Sequence, residues 1–405
     1  MTENKKKKQV LIISQYFPPD ISGGGTRAFN YAKCLSEKYD VTVITAFPHL
    51  HSRIPKKYHY RFLVKETMDN FNVIRVKVPS ILHDSIKNRI ILHLSFITSS
   101  LFPIFSLKPD IIFASEPNLF SIIPSFLYSK LRGGKVIRVV DDLWPEVIYE
   151  RGFFKSKIFQ KILNRFTKFS YDYPKYILPL TSEAKGHIQK FYDVPSEKIV
   201  VIEHGVDPTF KFTEKKREED FVVMYSGALV DSYDLDLLLD TASEFKEKNI
   251  KFVIRGKGNL LTKLKIKKDK MKLDNVKIDS SIIEFDKISK VLSTADVFVV
   301  PMKDDYFLNL SLPTKILEFQ ALGRPIICCS NGAPGNYVAK IESGFKIKPK
   351  NLEELKNSIT HLQSDPQLCK KFGQNGRLYV EKNLTIEQIG TRLSDLIERT
   401  VSKKT

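Results

Sequence analysis

In the stretch SLPTKILEFQALGRPIICCSNGAPGNYVAKIESG, Ser311 to Gly344, a threonine, a lysine and a glutamate gather at the start of a short helix. Pro313 suits a helix's first turn, because the amide it lacks would have no partner there. Thr314 and Lys315 follow at once. Helix starts attract anions through unsatisfied amides and the helix dipole, and Lys315 adds a full positive charge. Glu318 stands one turn on, among Ile316, Leu317, Phe319, Ala321 and Leu322. A carboxylate in so apolar a stretch is costly to bury unless something binds it. Two readings are open: a solvent-facing residue on the polar side of the helix, or an acceptor for two hydroxyl hydrogen bonds. The second suits a sugar nucleotide, with phosphates at the helix end and the ribose diol on the carboxylate. Gly323 ends the helix, and IICC after Pro325 reads as a buried strand.

Other candidates are spread along the chain. Gly23, Gly24 and Gly25, in the loop QYFPPDISGGGTR, either let backbone approach a ligand at the next helix's start or simply make a flexible loop. A nicotinamide-binding fold wants a tight GxGxxG turn and an acid ending its second strand. Here the loop is long, and VTVITAF runs into Pro48 and His49. Asp142, in DDLWPE, follows a strand's carboxyl end, where open α/β sheets place ligands; the alternative is that it caps a short helix. Arg255, beside the glycines of RGKG, is either a phosphate ligand or a surface charge. Asp234 and Asp236 form a DxD, but they open a helix and complement its dipole, so no metal is expected. Cys34, Cys328, Cys329 and Cys369 show no CxxC pairing and read as buried thiols in a reducing cytoplasm.

The elements that must position these residues repeat in two halves. The 405 residues suffice for two domains, and a 42% hydrophobic, 27% charged composition is that of a globular protein. QVLIIS, a loop, AFNYAKCLSEK and VTVITAF open a parallel α/β sheet that PDIIFAS, a helix around SIIPSFLYSKL and KVIRVVDD continue. The pattern restarts at FVVMYSG, DLDLLLDTASEF, KFVIRGKG, NVKID and DVFVVPM. The boundary falls between Asp207 and Asp220, giving domains 1–207 and 208–405, with the ligand site expected in the cleft between them. KNLTIEQIGTRLSDLIERTV reads as an amphipathic closing helix able to pack back on the N-terminal domain.

The net charge of +19 implies an anionic partner. No zinc-finger spacing, helix-turn-helix or RNA-recognition signature points to nucleic acid. The tail MTENKKKK leads into a first strand too short in its apolar part for a signal peptide. Ile90 to Leu107 nears membrane-spanning length, but Pro103, His93 and its place between two strands make it a core or interfacial helix. From Arg151 to Lys175, Arg151, Lys155, Lys157, Lys161, Arg165, Lys168 and Lys175 interleave with phenylalanines. This is either an amphipathic helix on an anionic bilayer or an ordinary helix with core phenylalanines.

FPPDISGGGTR, DDLWPE, TSEAK, EHGVD, RGKGNL, LPTKILEFQALGRPII with its ESG, and GQNGRLYVEKNLT occur in the order and spacing of one family. The chain resembles the retaining glycosyltransferases of family 4, over nearly its whole length. DLWPE and LPTKILEF look most like the branch building surface glycans on lipid carriers. The resemblance implies the GT-B fold, two Rossmann-like domains facing across a cleft. It also implies retaining transfer from a UDP- or GDP-sugar, without cofactor or metal, to a lipid-linked or glycan acceptor. The donor-binding candidates within this scheme are Gly23, Gly24, Gly25, Gly227, Arg255, Thr314, Lys315 and Glu318, with Glu318 and Asp142 the catalytic candidates. Glu318 matches the second Glu of the family's E-x7-E motif; the first falls at Leu310, and the phosphate-binding Arg and Lys fall at Ala228 and Tyr233. The expected location is the cytoplasm, peripheral on the inner face of the membrane. The rivals are an inactive GT-B subunit supporting a partner enzyme and a sugar-nucleotide epimerase.

Overall fold

The computed structural model describes residues 7–402 except 21, 50–53, 82–84, 116–118, 147–148, 150–155, 215–219, 248 and 282. The basic tail at 1–6, the charged 215–219 at the expected boundary, and Arg151 and Lys155 lie outside the described residues. Two compact units emerge, 1–205 with 386–405, and 206–385. The division thus falls two residues before the one read from the sequence, and the last helix, Ile386–Ser402, is part of the first unit. It goes there because Ile386, Ile389, Leu393, Leu396 and Ile397 are buried. Gly390 lets it approach Cys34 of the helix Gly23–Leu35, and Arg392 binds Glu203 at 2.9 Å.

The first unit holds seven strands: β1 (Gln9–Ile13), β2 (Asp40–Ala46), β3 (Leu63–Met68), β4 (Phe71–Val76), β5 (Ile111–Ser115), β6 (Lys135–Val139) and β7 (Tyr176–Leu178). They lie in the order β3-β4-β2-β1-β5-β6-β7, parallel except for the β3–β4 hairpin, which the sequence reading did not contain. That hairpin turns at Asp69, in the left-handed region at φ 47°. The central strands are buried on both faces, hence their unbroken apolar runs. Right-handed crossovers place Ile86–Ile104, Ile122–Arg132 and Lys157–Asp172 on one face of the sheet and Gly23–Leu35 on the other.

A buried arginine ties this unit together. Every N–H of the Arg27 guanidinium has an acceptor: Tyr31 Oη at 2.9 Å, Val140 O at 3.1 Å, Asp141 Oδ1 at 2.9 Å, Leu178 O at 3.2 Å and Ile202 O at 2.9 Å. One side chain thereby holds the carboxyl ends of β6 and β7 beside the first helix.

The second unit is an all-parallel sheet of β8 (Phe221–Ser226), β9 (Ile250–Arg255), β10 (Val276–Asp279), β11 (Val297–Pro301), β12 (Ile326–Cys329) and β13 (Gly344–Ile347). Its order is β10-β9-β8-β11-β12-β13, so the winding reverses between β8 and β11. Cys328 and Cys329 are buried in β12 and Cys34 in the first helix, as expected, while Cys369 is only half-buried.

Arg27→Met leaves the Asp141 carboxylate, whose pKa burial already raises, without its buried partner. We expect a loss of about 3–5 kcal/mol in urea unfolding. Adding Asp141→Asn should recover part of it; an unchanged midpoint in Arg27→Met would count against the clamp.

Candidate functional site

Ligands of open α/β sheets bind beyond the strands' carboxyl ends where the winding reverses, which in the second unit is beyond β8 and β11. Three backbone segments meet there. The turn after β8 is zipped to the turn after β9: Gly227 N–H donates to Arg255 O (3.0 Å) and Leu229 N–H to Lys257 O (2.8 Å). Gly227 and Gly256 both have φ of 145°, and a Cβ on Gly256 would overlap the Gly227 carbonyl. Glycine is therefore required at 256 by the approach of two backbones. The segment leading to Asp234 is in turn zipped to the end of β11, with Asp234 N–H donating to Pro301 O at 2.7 Å.

Onto this floor comes the helix Thr314–Ala321. It begins one residue later than the sequence suggested, with Pro313 as the cap residue and no side chain satisfying its first amides. Ile316, Leu317, Phe319, Ala321 and Leu322 are buried as expected, Phe319 lying flat on Phe298 with ring centres 3.7 Å apart. Gln320 is also buried, bonded to Ser343 at 2.8 Å. Packing this face fixes the rotation of the helix, so Lys315 and Glu318, one turn apart, share the other side.

Lys315 reaches back over the β8 turn. Its ammonium donates to Tyr225 Oη at 3.0 Å and lies 4.4 Å from the Tyr225 ring centre and 3.8 Å from that of Tyr233. A Cβ on Gly227 would collide with it. Tyr225 is itself oriented, donating to Ala228 O at 2.6 Å. The position where the resemblance expects a lysine, Tyr233, thus supplies a ring beneath a lysine from another element. Ala228 contributes a carbonyl, and Leu310 is half-buried in the turn after β11.

Electrostatics make this pair unusual. Burial pushes Lys315 down to about 7, the Glu318 charge offsetting only part of it. Burial pushes Glu318 up to about 7, against the pull of Lys315 and with Asp207 adding to the rise. No described residue hydrogen-bonds or ion-pairs with the Glu318 carboxylate, although the side chain is half-buried. Lys315 has a hydroxyl and two rings but no carboxylate bonded to it, and Glu318 has no bonded partner among the described residues, a state that suits a ligand.

The remaining candidates are placed differently. The Arg255 guanidinium is committed to Asp279 and to Ser281 O (2.9 Å), so its charge serves the β9–β10 connection rather than the lysine cluster. Gly23, Gly24 and Gly25 form the first turn of Gly23–Leu35 instead of a loop before it. Ser22 caps that turn at Gly25 N, and a Cβ on Gly25 would sit 3.1 Å from the Tyr16 carbonyl, so close packing explains this glycine. In DDLWPE the carboxylate held inside is Asp141, bound to Arg27, while Asp142 is exposed. Asp234 caps its helix and Asp236 pairs with Lys263 and Lys267. A cavity of about 730 Å³ flanked by Phe212, Arg324 and Arg377 opens at the opposite, amino ends of β8, β11 and β12. The Arg324 guanidinium there is already taken by the carbonyls of Thr213, Ser293, Ala295 and Leu322. Sequence reasoning missed Tyr225 as a ligand of the lysine; YSGALVDSY contains both rings, but nothing in it announces a cation between them.

Residues 21–210 match the model of the family Glycosyltransferase Family 4, and residues 206–379 that of Glycosyl transferases group 1. The chain is similar to an uncharacterized glycosyltransferase of Methanocaldococcus jannaschii, 20% identical over 98% of this chain and all of that protein. Among solved structures, sucrose-phosphate synthase of Thermosynechococcus elongatus has a TM-score of 0.77 at 14% identity, covering 97% of this chain and 99% of that one. HepE of Anabaena in complex with UDP-glucose has 0.69 at 12%, covering 96% and 99%. At such identities the likeness establishes the fold, which is GT-B.

Tyr233→Leu removes one ring from under the ammonium. We expect nucleoside-diphosphate binding to weaken by about 0.5–2 kcal/mol, with Tyr233→Phe close to wild type. In a Lys315→Met background Tyr233→Leu should add nothing; full additivity in calorimetric affinities would show that the ring acts elsewhere.

Proposed function

The chain carries a family 4 glycosyltransferase domain followed by a group 1 glycosyl transferase domain, and on that premise we infer that it moves a sugar from a UDP-sugar to a lipid-linked or glycan acceptor with retention. The observation that carries this reading is the Lys315 ammonium, held between two tyrosine rings against Gly227, with the unpaired Glu318 one turn away. A diphosphate brings about two negative charges, more than a helix dipole of roughly half a charge offsets. Lys315 supplies the missing cation. The ammonium and the uncapped amides of Thr314–Ala321 stabilise the departing nucleotide, the main rate term expected of such a site. Glu318 accepts the ribose hydroxyls, and Gly227 leaves room for the ammonium. Asp142, exposed after β6, is assigned to the acceptor side. The UDP-glucose complex of a protein with the same fold supports uracil as the base. Retention and the lipid-linked acceptor rest on the resemblance of the motifs. An inactive subunit or an epimerase is not favoured, because both halves match transferase families.

Two substitutions test the donor site by calorimetry. Lys315→Met should weaken UDP binding by about 1.5–3 kcal/mol, the range of a hydrogen bond to a charged group, and leave uridine binding nearly unchanged. Glu318→Ala should cost at least about a hundredfold in donor affinity or turnover without unfolding, since two such bonds are lost. Wild-type UDP affinity in either variant sinks its assignment.

The pH dependence has a definite sign. Diphosphate favours charged Lys315, so binding raises a pKa that is about 7 in the free protein, and a proton is taken up above that pH. Ribose hydroxyls favour ionised Glu318, which releases a proton as its pKa falls from about 7. In Glu318→Gln, where only the lysine titrates, UDP affinity should fall by up to about tenfold per pH unit above 7. Adding Lys315→Met should flatten that profile; a slope that persists without the lysine assigns the proton to another group.

A further inference from the structure

One feature of the first unit has no part in the donor site. The helices Ile86–Ile104, Ile122–Arg132 and Lys157–Asp172 form one layer over a face of the sheet. Aromatic contacts join them: Phe105 to Tyr128 at 5.7 Å, Phe120 to Phe166 at 5.2 Å and Phe126 to Phe169 at 5.0 Å. These contacts settle the inward side. Leu92, Phe96, Ile104, Ile122, Tyr128 and Leu163 are buried, so a normal complement of apolar residues already faces the sheet.

The outward side is apolar as well. On Ile86–Ile104, Ile90, Leu94 and Phe102 recur at helical spacing along one stripe, with Leu94 53% and Phe102 68% exposed. Leu131 is exposed on the second helix. On the third, Ile158 is 75% and Ile162 63% exposed, with Phe159 beside them. Isolated exposed apolar residues are ordinary, but a set along the outer ridges of one helical layer marks an interaction surface.

Charge identifies the occupant. The three helices carry Lys87, Arg89, Lys130, Arg132, Lys157, Lys161, Arg165 and Lys168, and their one acid, Asp172, is paired with Lys168 at 3.3 Å. The helix packed on the sheet's other side, Ile386–Ser402, has three acids, Glu387, Asp395 and Glu398, and two arginines. Basic residues interleaved with outward isoleucine, leucine and phenylalanine fit anionic headgroups above hydrocarbon. No helix among the described residues is long and apolar enough to cross a membrane, so the contact is one of docking.

We propose that this three-helix face docks the protein on an anionic lipid bilayer, with Ile90, Leu94, Ile158 and Ile162 entering the interface and Lys157, Lys161 and Arg165 meeting the headgroups. The inference gives a lipid-linked acceptor a route to the enzyme, but it stands on the surface itself, and its sedimentation readout uses neither acceptor nor donor.

The full chain is sedimented with vesicles of phosphatidylcholine alone or mixed with phosphatidylglycerol, at low and high salt. Binding should need the anionic lipid and fall with salt, as screened attraction does. Lys157→Gln/Lys161→Gln/Arg165→Gln should lower the bound fraction at least tenfold. Ile90→Ser/Leu94→Ser/Ile158→Ser/Ile162→Ser should abolish the binding that survives high salt. UDP affinity, measured on each variant, serves as the folding control and should not change. Equal binding to both vesicle types, or binding indifferent to either variant, overturns the proposal. So does a wild-type dimer that the serine variant dissolves, which would make a second copy of the chain the occupant. Loss of UDP binding in Lys315→Met with normal sedimentation would leave this inference intact, and the converse result would leave the donor site intact.

Discussion

The Lys315 ammonium occupies the space that a side chain on residue 227 would need, and much of the second unit is arranged so that this can happen. Gly227 must be bare to admit the ammonium, and Gly256 must be bare to admit the Gly227 carbonyl. The turns after β8 and β9 can then run side by side. The cation rests between Tyr225 and Tyr233, whose ring faces attract it without neutralising it. A carboxylate in the same place would fix the charge more firmly, but it would also repel a diphosphate. Aromatic rings hold a cation and leave its charge available.

The two units solve the same structural problem in similar ways. Each has an arginine buried among main-chain carbonyls, Arg27 in the first and Arg324 in the second. A planar guanidinium with five donors can satisfy several strand and loop ends that no ladder reaches. The two stand at different ends of their sheets. Arg27 supports the carboxyl ends where ligands bind, whereas Arg324 closes the amino ends of β11 and β12. The first therefore braces the end of its sheet where open α/β folds place ligands, and the second the opposite end of its own.

Charge is divided in the same purposeful way. On the two proposals made above, the excess of basic residues meets an anionic partner in two distinct modes. In the proposed donor site one partly desolvated ammonium acts at short range, and burial lowers its pKa to about 7. On the three-helix layer many solvated charges act together at long range, where salt weakens them. Ordinary binding measurements at varied ionic strength separate the two.

The β/α alternation, the apolar face of residues 316 to 322 and the placing of Lys315 and Glu318 on one side of a helix were legible in the chain, because they are set by spacing over a few residues. The glycines at 23 to 25 read in the chain as part of a loop before a helix, whereas the fold makes them its first turn, with Gly25 packed closely on the Tyr16 carbonyl. The fate of each charge was decided elsewhere. In the sequence both Lys315, at a helix start, and Arg255, beside the glycines of RGKG, are candidates for a phosphate, Lys315 the better placed and Arg255 open to being a surface charge. The sheet order gives Arg255 a carboxylate from the neighbouring β10, and brings β8 beside β11 so that Lys315 meets two tyrosines instead. Likewise the pattern of 157 to 172 announced an amphipathic helix, but its inward and outward sides were both apolar enough to be core. Only packing against Phe120 and Phe126 turned Leu163, Phe166 and Phe169 inward and left Ile158 and Ile162 in the open. Local spacing fixes which residues share a face; which face meets protein, and which charge keeps no partner, depends on neighbours that only the folded chain brings together.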